Sequence, residues 1–314
     1  MTMKYKQSTV SVIIPVYNTG IYLDRCLDSV IGSDYEDIDI ILINDGSTDK
    51  TTIEILDKYK NYPKIRYFNN ENMGISLSRN FGLDRVDGEY LMFVDSDDYI
   101  EKDMISKMVN RITKDKSDMV QASFYVEYEH YKLRRVRPKN DVLSKDEMLK
   151  ALMKNMGVNN YLWGKLYRSE IFEDIRFNKD YKGFEDVEIM PKIFMKLNSA
   201  SLMKNRFYHY IQRRGSYTNH MNLKIASDMY DSFRKQEEYI NNHRSNLSVS
   251  NVENYYRSEM MMLYIMMVDK LSDEELREFK YPQYDDENVW LIFKMARGIM
   301  KTIVKLKYGK RGVL

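Results

Sequence analysis

Cysteine is almost absent from this 314-residue chain: the single Cys26 excludes a disulfide framework and fits a reducing cytosol. Proline and glycine are also scarce, at 5 and 13, so no low-complexity linker divides the sequence. No run of about eighteen apolar residues could cross a bilayer, and the N-terminal MTMKYKQST lacks an apolar signal region. A cytoplasmic protein is therefore expected. A formal net charge of +2 argues against bulk nucleic-acid binding. Neither a G-x-G-x-x-G nor a P-loop occurs, which disfavours dinucleotide-binding and nucleotidyltransferase readings, and no internal repeat is apparent. What the chain does have is apolar bulk, 43% of its residues, enough for a full core and a helical appendage besides.

The first 125 or so residues alternate strand and helix. Val10 to Val16 is a near-continuous β-branched run, as expected of a parallel strand buried on both faces. Leu23, Cys26, Leu27, Val30 and Ile31 then recur at helical spacing, which places Cys26 in the core. A second strand, Ile38 to Ile43, leads into Asn44-Asp45-Gly46-Ser47-Thr48-Asp49, whose Ser and Thr are suitable caps for a helix carrying Ile53, Leu56 and Tyr59. Ile65 to Phe68, the turn-rich NNENMG and the helical SLSRNFGLDRV follow, then the strand Tyr90 to Val94. Such alternation implies parallel pairing with right-handed crossovers, so the loops after the strands gather on one edge.

At that edge the Tyr90 strand stops abruptly in Asp95-Ser96-Asp97-Asp98. Open α/β sheets bind ligands outside the carboxyl ends of their strands, so Asp95 and Asp97 face a crevice together with Asp45. Paired carboxylates there suit Mg²⁺ or Mn²⁺ held jointly with nucleotide phosphates. A second Asp-x-Asp, Asp37-Ile38-Asp39, opens a strand instead, where charge reads as a solvated cap.

Four blocks, each at a strand end, now stand in order: Pro15-Val16-Tyr17-Asn18, Asn44 to Asp49, Asn72-Met73-Gly74 with Ser78 to Gly82, and Asp95 to Asp98. Together they resemble the signature of inverting family 2 glycosyltransferases of the GT-A type. The resemblance continues through Leu162-Trp163-Gly164-Lys165-Leu166-Tyr167-Arg168, with Gly164 where Asn is usual, and through Gly183-Phe184-Glu185-Asp186. It ends in Tyr208 to Ser216, with Ile211 where Arg is common, and covers about two thirds of the chain. The implied fold is α/β, a Rossmann-like mixed sheet: a catalytic domain over residues 1–215 (nucleotide-sugar half 1–125, acceptor half 126–215) and a helical C-terminal region over 216–314.

The resemblance also implies roles. Asp97 would ligate the metal, with Asp95 on the ribose or a metal-bound water and as a further candidate ligand; His209, between tyrosines in a strand, could reach the metal too, but such a histidine more often simply packs or hydrogen-bonds. Tyr17 would lie against the nucleobase, and Asp45 would accept from the N3–H of uracil, an edge that thymine shares. Pro15, Asn18, Asn72 and Ser96 complete the donor side, and Arg79 would fork onto a phosphate or buttress the carboxylates. Asp186 would be the catalytic base, with Glu185 as the other carboxylate able to serve; Trp163, Lys165, Glu185 and Arg213 would line the acceptor side. The plainer reading of Glu185-Asp186 is an acidic pair favoured by a helix N-terminus. Pro191 is expected near the first turn of that helix, where proline is tolerated.

Other features read as structure. His130, His220 and His243 lack ligand spacing; Phe124 to Pro138, with the basic run Lys132 to Lys139, reads as a strand or hairpin with a solvated face; Met260 to Met267 suggests a buried helix. The C-terminus differs. From Val289 to Tyr308, Lys294, Arg297, Lys301 and Lys305 share a helical face opposite Ile292, Met295, Met300, Ile303 and Leu306, and no acid follows Glu287. A basic amphipathic segment beginning with a Trp reads as an anchor to an anionic membrane surface, against the alternative of packing on the catalytic domain. The expected function is metal-dependent transfer from a nucleotide-sugar donor, most simply a UDP-sugar, to a hydroxyl of a cell-surface glycan or lipid-linked acceptor at the inner membrane face. The contrasting class is a catalytically silent nucleotide-sugar-binding or scaffold protein.

Overall fold

In the computed structural model, residues 5–128, 131–135, 141–153, 157–181, 183–213, 222–243 and 256 are described. In chain order they form β1 (Lys6–Val16), α1 (Tyr22–Ile31), β2 (Ile38–Asp45), α2 (Lys50–Tyr59), β3 (Ile65–Asn70), α3 (Ile75–Leu83), β4 (Gly88–Phe93) and β5 (Tyr99–Ile100). There follow α4 (Met104–Asp115), β6 (Met119–Tyr128), β7 (Tyr131–Arg135), β8 (Val142–Ser144), α5 (Lys145–Met153), β9 (Lys165–Arg168), α6 (Glu185–Lys196), β10 (Ser199–Ile211) and α7 (Leu223–His243).

The sheet runs in the order β3-β2-β1-β4-β9-β6-β10-β5. β3, β2, β1 and β4 pair in parallel, as alternation of strand and helix demands. β9 then enters antiparallel to both β4 and β6, so the Lys165–Arg168 segment is the seam joining the two halves of one mixed sheet. Both faces are covered, and the two-residue period of a strand divides the apolar runs between them. Val10, Val12, Ile14 and Val16 of β1 share a core with α1, α2 and α4, while Ile13, Ile41, Ile43, Leu91 and Phe93 pack on the α5 and α6 side. Of the strand and hairpin readings of Phe124 to Pro138, the pairing is that of a hairpin, with β6 and β7 antiparallel.

Three details differ from the sequence reading. The cap of α2 is Asp49, whose carboxylate accepts from the Thr52 amide, rather than Ser47 or Thr48. Pro191 lies at the seventh position of α6, beyond the first turn. Ile225, Ala226, Phe233 and Ile240 of α7 belong to the same buried core as α5 and α6, so this part of the expected C-terminal region is continuous with the catalytic unit. The segments Met260 to Met267 and Val289 to Tyr308, with His130 and His220, lie outside the described residues. No helix among the described residues is long and apolar enough to cross a membrane.

Candidate active site

Because β1, β2 and β4 are parallel neighbours, their carboxyl ends meet on one edge, and hydrogen bonds tie the loops beyond them together. Tyr17 leaves β1 about half exposed. Asn18 turns back with a positive φ of 47°, and its Oδ1 accepts from the Thr48 amide at 2.8 Å. Gly46 is obligatory for a steric reason: a Cβ there would stand 2.6 Å from the Asn72 amide nitrogen. Asp45 is buried and accepts from the Met73 and Gly74 amides at 2.9 and 3.0 Å. Each of its oxygens keeps a lone pair for a further donor. Ser96 spends its hydroxyl on Thr19 at 2.7 Å, locking the β1 loop to the acidic loop.

The three aspartates of that acidic loop have distinct surroundings. Asp98 is fully buried, accepts from the Ile211 amide at 2.8 Å, and has its carboxyl pushed well up by burial and by Asp97 and Asp95. Asp97 is raised as well, by burial and by Asp95, against the pull of Arg213, whose Nε donates to it at 2.7 Å. Asp95 pairs with Arg79 Nη2 at 2.9 Å, and its amide donates to the Tyr208 hydroxyl at 3.1 Å. Arg213 on Asp97 and Arg79 on Asp95 thus each bring a cation to the acidic loop, and among the described residues no cluster of three or more acidic, histidine or cysteine side chains is placed to hold a metal ion.

Arg79, on α3 and 5% exposed, carries the arrangement to the other half of the molecule. Its second nitrogen, Nη1, donates to Glu185 at the start of α6, so one buried guanidinium spans both acidic groups. Burial opposes its charge, yet Glu185 and Asp95 hold its pKa above the ordinary arginine value. The turn into α6 is strained: Phe184 has φ of 60°, a left-handed conformation that a bulky side chain adopts at a cost of about 1–2 kcal/mol. It is fixed by burial of Val187, Ile189, Met190, Ile193 and Phe194 beneath it. Asp186 follows. Burial and the Glu185 charge raise it to about 7, against Arg79, and its Oδ1 accepts from the Val187 amide at 2.8 Å. Lys165 is wholly buried; burial lowers its amine to about 7, opposed by Asp186, and the amine donates to Asn159 Oδ1 at 2.6 Å and to the Tyr161 carbonyl.

Some candidates lie elsewhere than expected. His209 does not face the acidic loop: its Nε2 meets Glu101 at 2.8 Å and its Nδ1 meets Glu127 at 2.5 Å, with the ring between Tyr99 and Tyr125. Both ring nitrogens are committed, so it leaves the ligand set. Trp163 is 5% exposed and stacked on Tyr161 at 4.4 Å and Tyr208 at 4.5 Å. Pro15 is buried in β1 opposite Ile43 and serves the strand. Asn72 is exposed, with its backbone against Gly46. Arg213 joins the Asp97 side, while Lys165 and Glu185 lie around Asp186 but are buried. Sequence reasoning missed Asp98 and Tyr208 as braces of the acidic loop; an aromatic alternating with His209 along β10 was the available signal.

The family model described as Glycosyl transferase family 2 matches residues 11–209. The chain belongs to that family. A cholesterol galactosyltransferase of Borreliella burgdorferi is 31% identical over 84% of this chain and 77% of that protein. Glycosyltransferase GlyA of Streptococcus pneumoniae is 30% identical over 72% of this chain but only 34% of its own length. Among solved structures, S. aureus TarS 1–349 in complex with UDP-GlcNAc superposes with a TM-score of 0.68 at 22% identity, covering 85% of this chain and 77% of that one. The mixed sheet is therefore a GT-A fold, and this family 2 member is a glycosyltransferase.

Proposed function

We propose that the protein transfers a sugar, with inversion and with a divalent cation, from a UDP-sugar to a hydroxyl of a cell-surface glycan or lipid-linked acceptor. The observation that carries this reading is the Arg79 bridge from Asp95 to Glu185, which makes the donor end and the acid pair of α6 one electrostatic unit. Tyr17 packs on the base and Asp45 accepts from its N3–H, while Asn18, Asn72 and Ser96 shape the loops around it. Asp97, assisted by Asp95, would hold Mn²⁺ or Mg²⁺, which when bound offsets the charge developing on the departing diphosphate. Arg79 and Arg213 bring fixed positive charge to the same end. Asp186 takes the acceptor proton. A pKa of about 7 leaves a substantial fraction ionised at neutral pH while giving the carboxylate more basicity than an ordinary aspartate has.

The UDP preference is supported by the UDP-GlcNAc held by the TarS fold relative, and a lipid acceptor by the name of the Borreliella relative. The basic segment Val289 to Tyr308 supports peripheral attachment to an anionic inner membrane face. Thermal shift with UDP-, dTDP- and GDP-sugars, with and without Mn²⁺, tests the donor reading: UDP-sugars should stabilise most and need the metal. Turnover then separates enzyme from scaffold, since a silent binding protein would be stabilised by donor but would release no UDP from it under any acceptor or in water.

A further inference from the structure

Pro191 breaks a rule of α6 with a consequence beside the candidate base. Lacking an amide hydrogen, it cannot donate to the carbonyl four residues earlier, which belongs to Val187, the neighbour of Asp186. Val187 is buried, and a buried carbonyl without a partner costs about 1–3 kcal/mol. The missing donor comes from another helix: Gln236 of α7, with no solvent exposure, donates Nε2 to the Val187 carbonyl. The same Nε2 donates to Asn160 Oδ1 at 2.9 Å, and Oε1 accepts from the Tyr256 hydroxyl at 2.9 Å. The backbone of Val187 is thus held on both sides, its amide by Asp186 Oδ1 and its carbonyl by Gln236. Asn160 adjoins Asn159, which holds the Lys165 amine.

We infer that Gln236 is a positioning residue for the transfer reaction, clamping the Asp186 turn of α6 to the 157–164 loop and making α7 part of the catalytic unit. It touches no reacting atom; it sets where the Asp186 carboxylate stands relative to Lys165 and Arg79. The inference rests on Asp186 being the base, yet it reaches beyond residues 11–209, the span of the family match. An amide on the core face of α7 would otherwise be a costly choice, since Ala226, Phe233 and Ile240 on that face are apolar and buried.

The test uses the full chain with Gln236→Met, Pro191→Ala and the double variant Pro191→Ala/Gln236→Met. Three readouts are compared: turnover of the UDP-sugar found by thermal shift, affinity for UDP with Mn²⁺, and the titration midpoint of the Asp186 carboxyl by ¹³C NMR, assigned by its loss in Asp186→Asn. Gln236→Met should lower turnover roughly 10- to 100-fold and move the midpoint while UDP affinity stays unchanged, because small misplacements near the chemistry are costly. An alanine at position 191 restores a helical amide to the Val187 carbonyl, so the double variant should recover much of the turnover and the midpoint. Wild-type turnover and midpoint in folded Gln236→Met would overturn the inference, as would a double variant no better than Gln236→Met. Should Gln236→Met fail to fold, the double variant decides: a folded, active protein supports the clamp and an unfolded one overturns it. Normal turnover in Asp186→Asn would overturn only the base assignment, leaving the midpoint shift to judge the clamp.

Discussion

Replacing Asp186 by Asn should make the protein more stable while stopping its chemistry, and only above a definable pH. In the folded chain, burial and Glu185 raise the Asp186 carboxyl from the ordinary 3.8 to about 7. At about 1.4 kcal/mol per tenfold, that rise corresponds to about 4 kcal/mol of folding free energy. Asp186 keeps some exposure, so solvent relaxation reduces the expected effect to about 1–2 kcal/mol and makes 4 a ceiling. The sign follows from the two states. Above pH 7 the carboxyl is ionised both folded and unfolded, and only the folded chain bears the cost of burying the charge. As the pH falls through 3.8 it becomes protonated in both, and the cost vanishes. Asp186→Asn, neutral throughout, should therefore melt higher than the parent at pH 8, by roughly 2–4 °C per kcal/mol, with most of that gain gone at pH 4. Turnover should fall on the order of 10²- to 10⁴-fold, with UDP affinity nearly unchanged. Differential scanning calorimetry across pH 4 to 8.5 provides the measurement. No gain at pH 8, or an equal gain at pH 4, would refute the claim that this carboxyl is held uphill by its surroundings.

Asp97→Ala should abolish the Mn²⁺-dependent part of UDP affinity measured by calorimetry without unfolding the protein, because Asp97 lies in the loop between β4 and β5 and keeps partial exposure; an unchanged metal-dependent affinity would remove it from the ligand set. Arg79→Met leaves Asp95 and Glu185 facing each other without their cation, so a loss of about 3–5 kcal/mol in urea unfolding is expected, together with lost turnover. A stability within about 1 kcal/mol of the parent would show that the bridge is replaceable by water. Deleting 289–314 should release the protein from anionic vesicles while leaving UDP affinity intact, with binding of the parent weakened by salt; equal binding of the parent to neutral and anionic vesicles would sink the anchor.

Much of the strand-end edge was legible because it is built from local rules. A parallel strand buried on both faces must be a continuous apolar run, its end must lie at the shared edge, and polar residues just past that end have nowhere else to go; Asp45, Asp95 and Asp97 follow from that, whereas Tyr17 was singled out only by the family resemblance. Pairings between distant segments were not legible. Nothing in the local pattern says that Arg79 reaches Glu185, 106 residues away, nor that Asp98 holds the Ile211 amide, 113 residues away. The choice between a packed and a ligating His209 could be made from the strand period: once Tyr208 meets the acidic loop, the next residue of β10 must point to the opposite face, where Glu101 and Glu127 receive it.

Gln236 shows how such a residue can be found from sequence. Ala226, Met229, Phe233, Gln236 and Ile240 fall at alternating spacings of three and four, the stripe of a helix facing a core, and glutamine is the one polar member. A proline well inside another amphipathic helix announces a carbonyl without its donor. Each signal alone is ambiguous, since a polar residue on an apolar stripe can lie at its margin and an interior proline can simply kink its helix. Taken together they specify complementary needs, a buried donor lacking an acceptor and a buried acceptor lacking a donor. Hydrogen-bond accounting is thus a long-range constraint that hydrophobic periodicity does not contain, and in this chain it leads directly to the turn that carries Asp186.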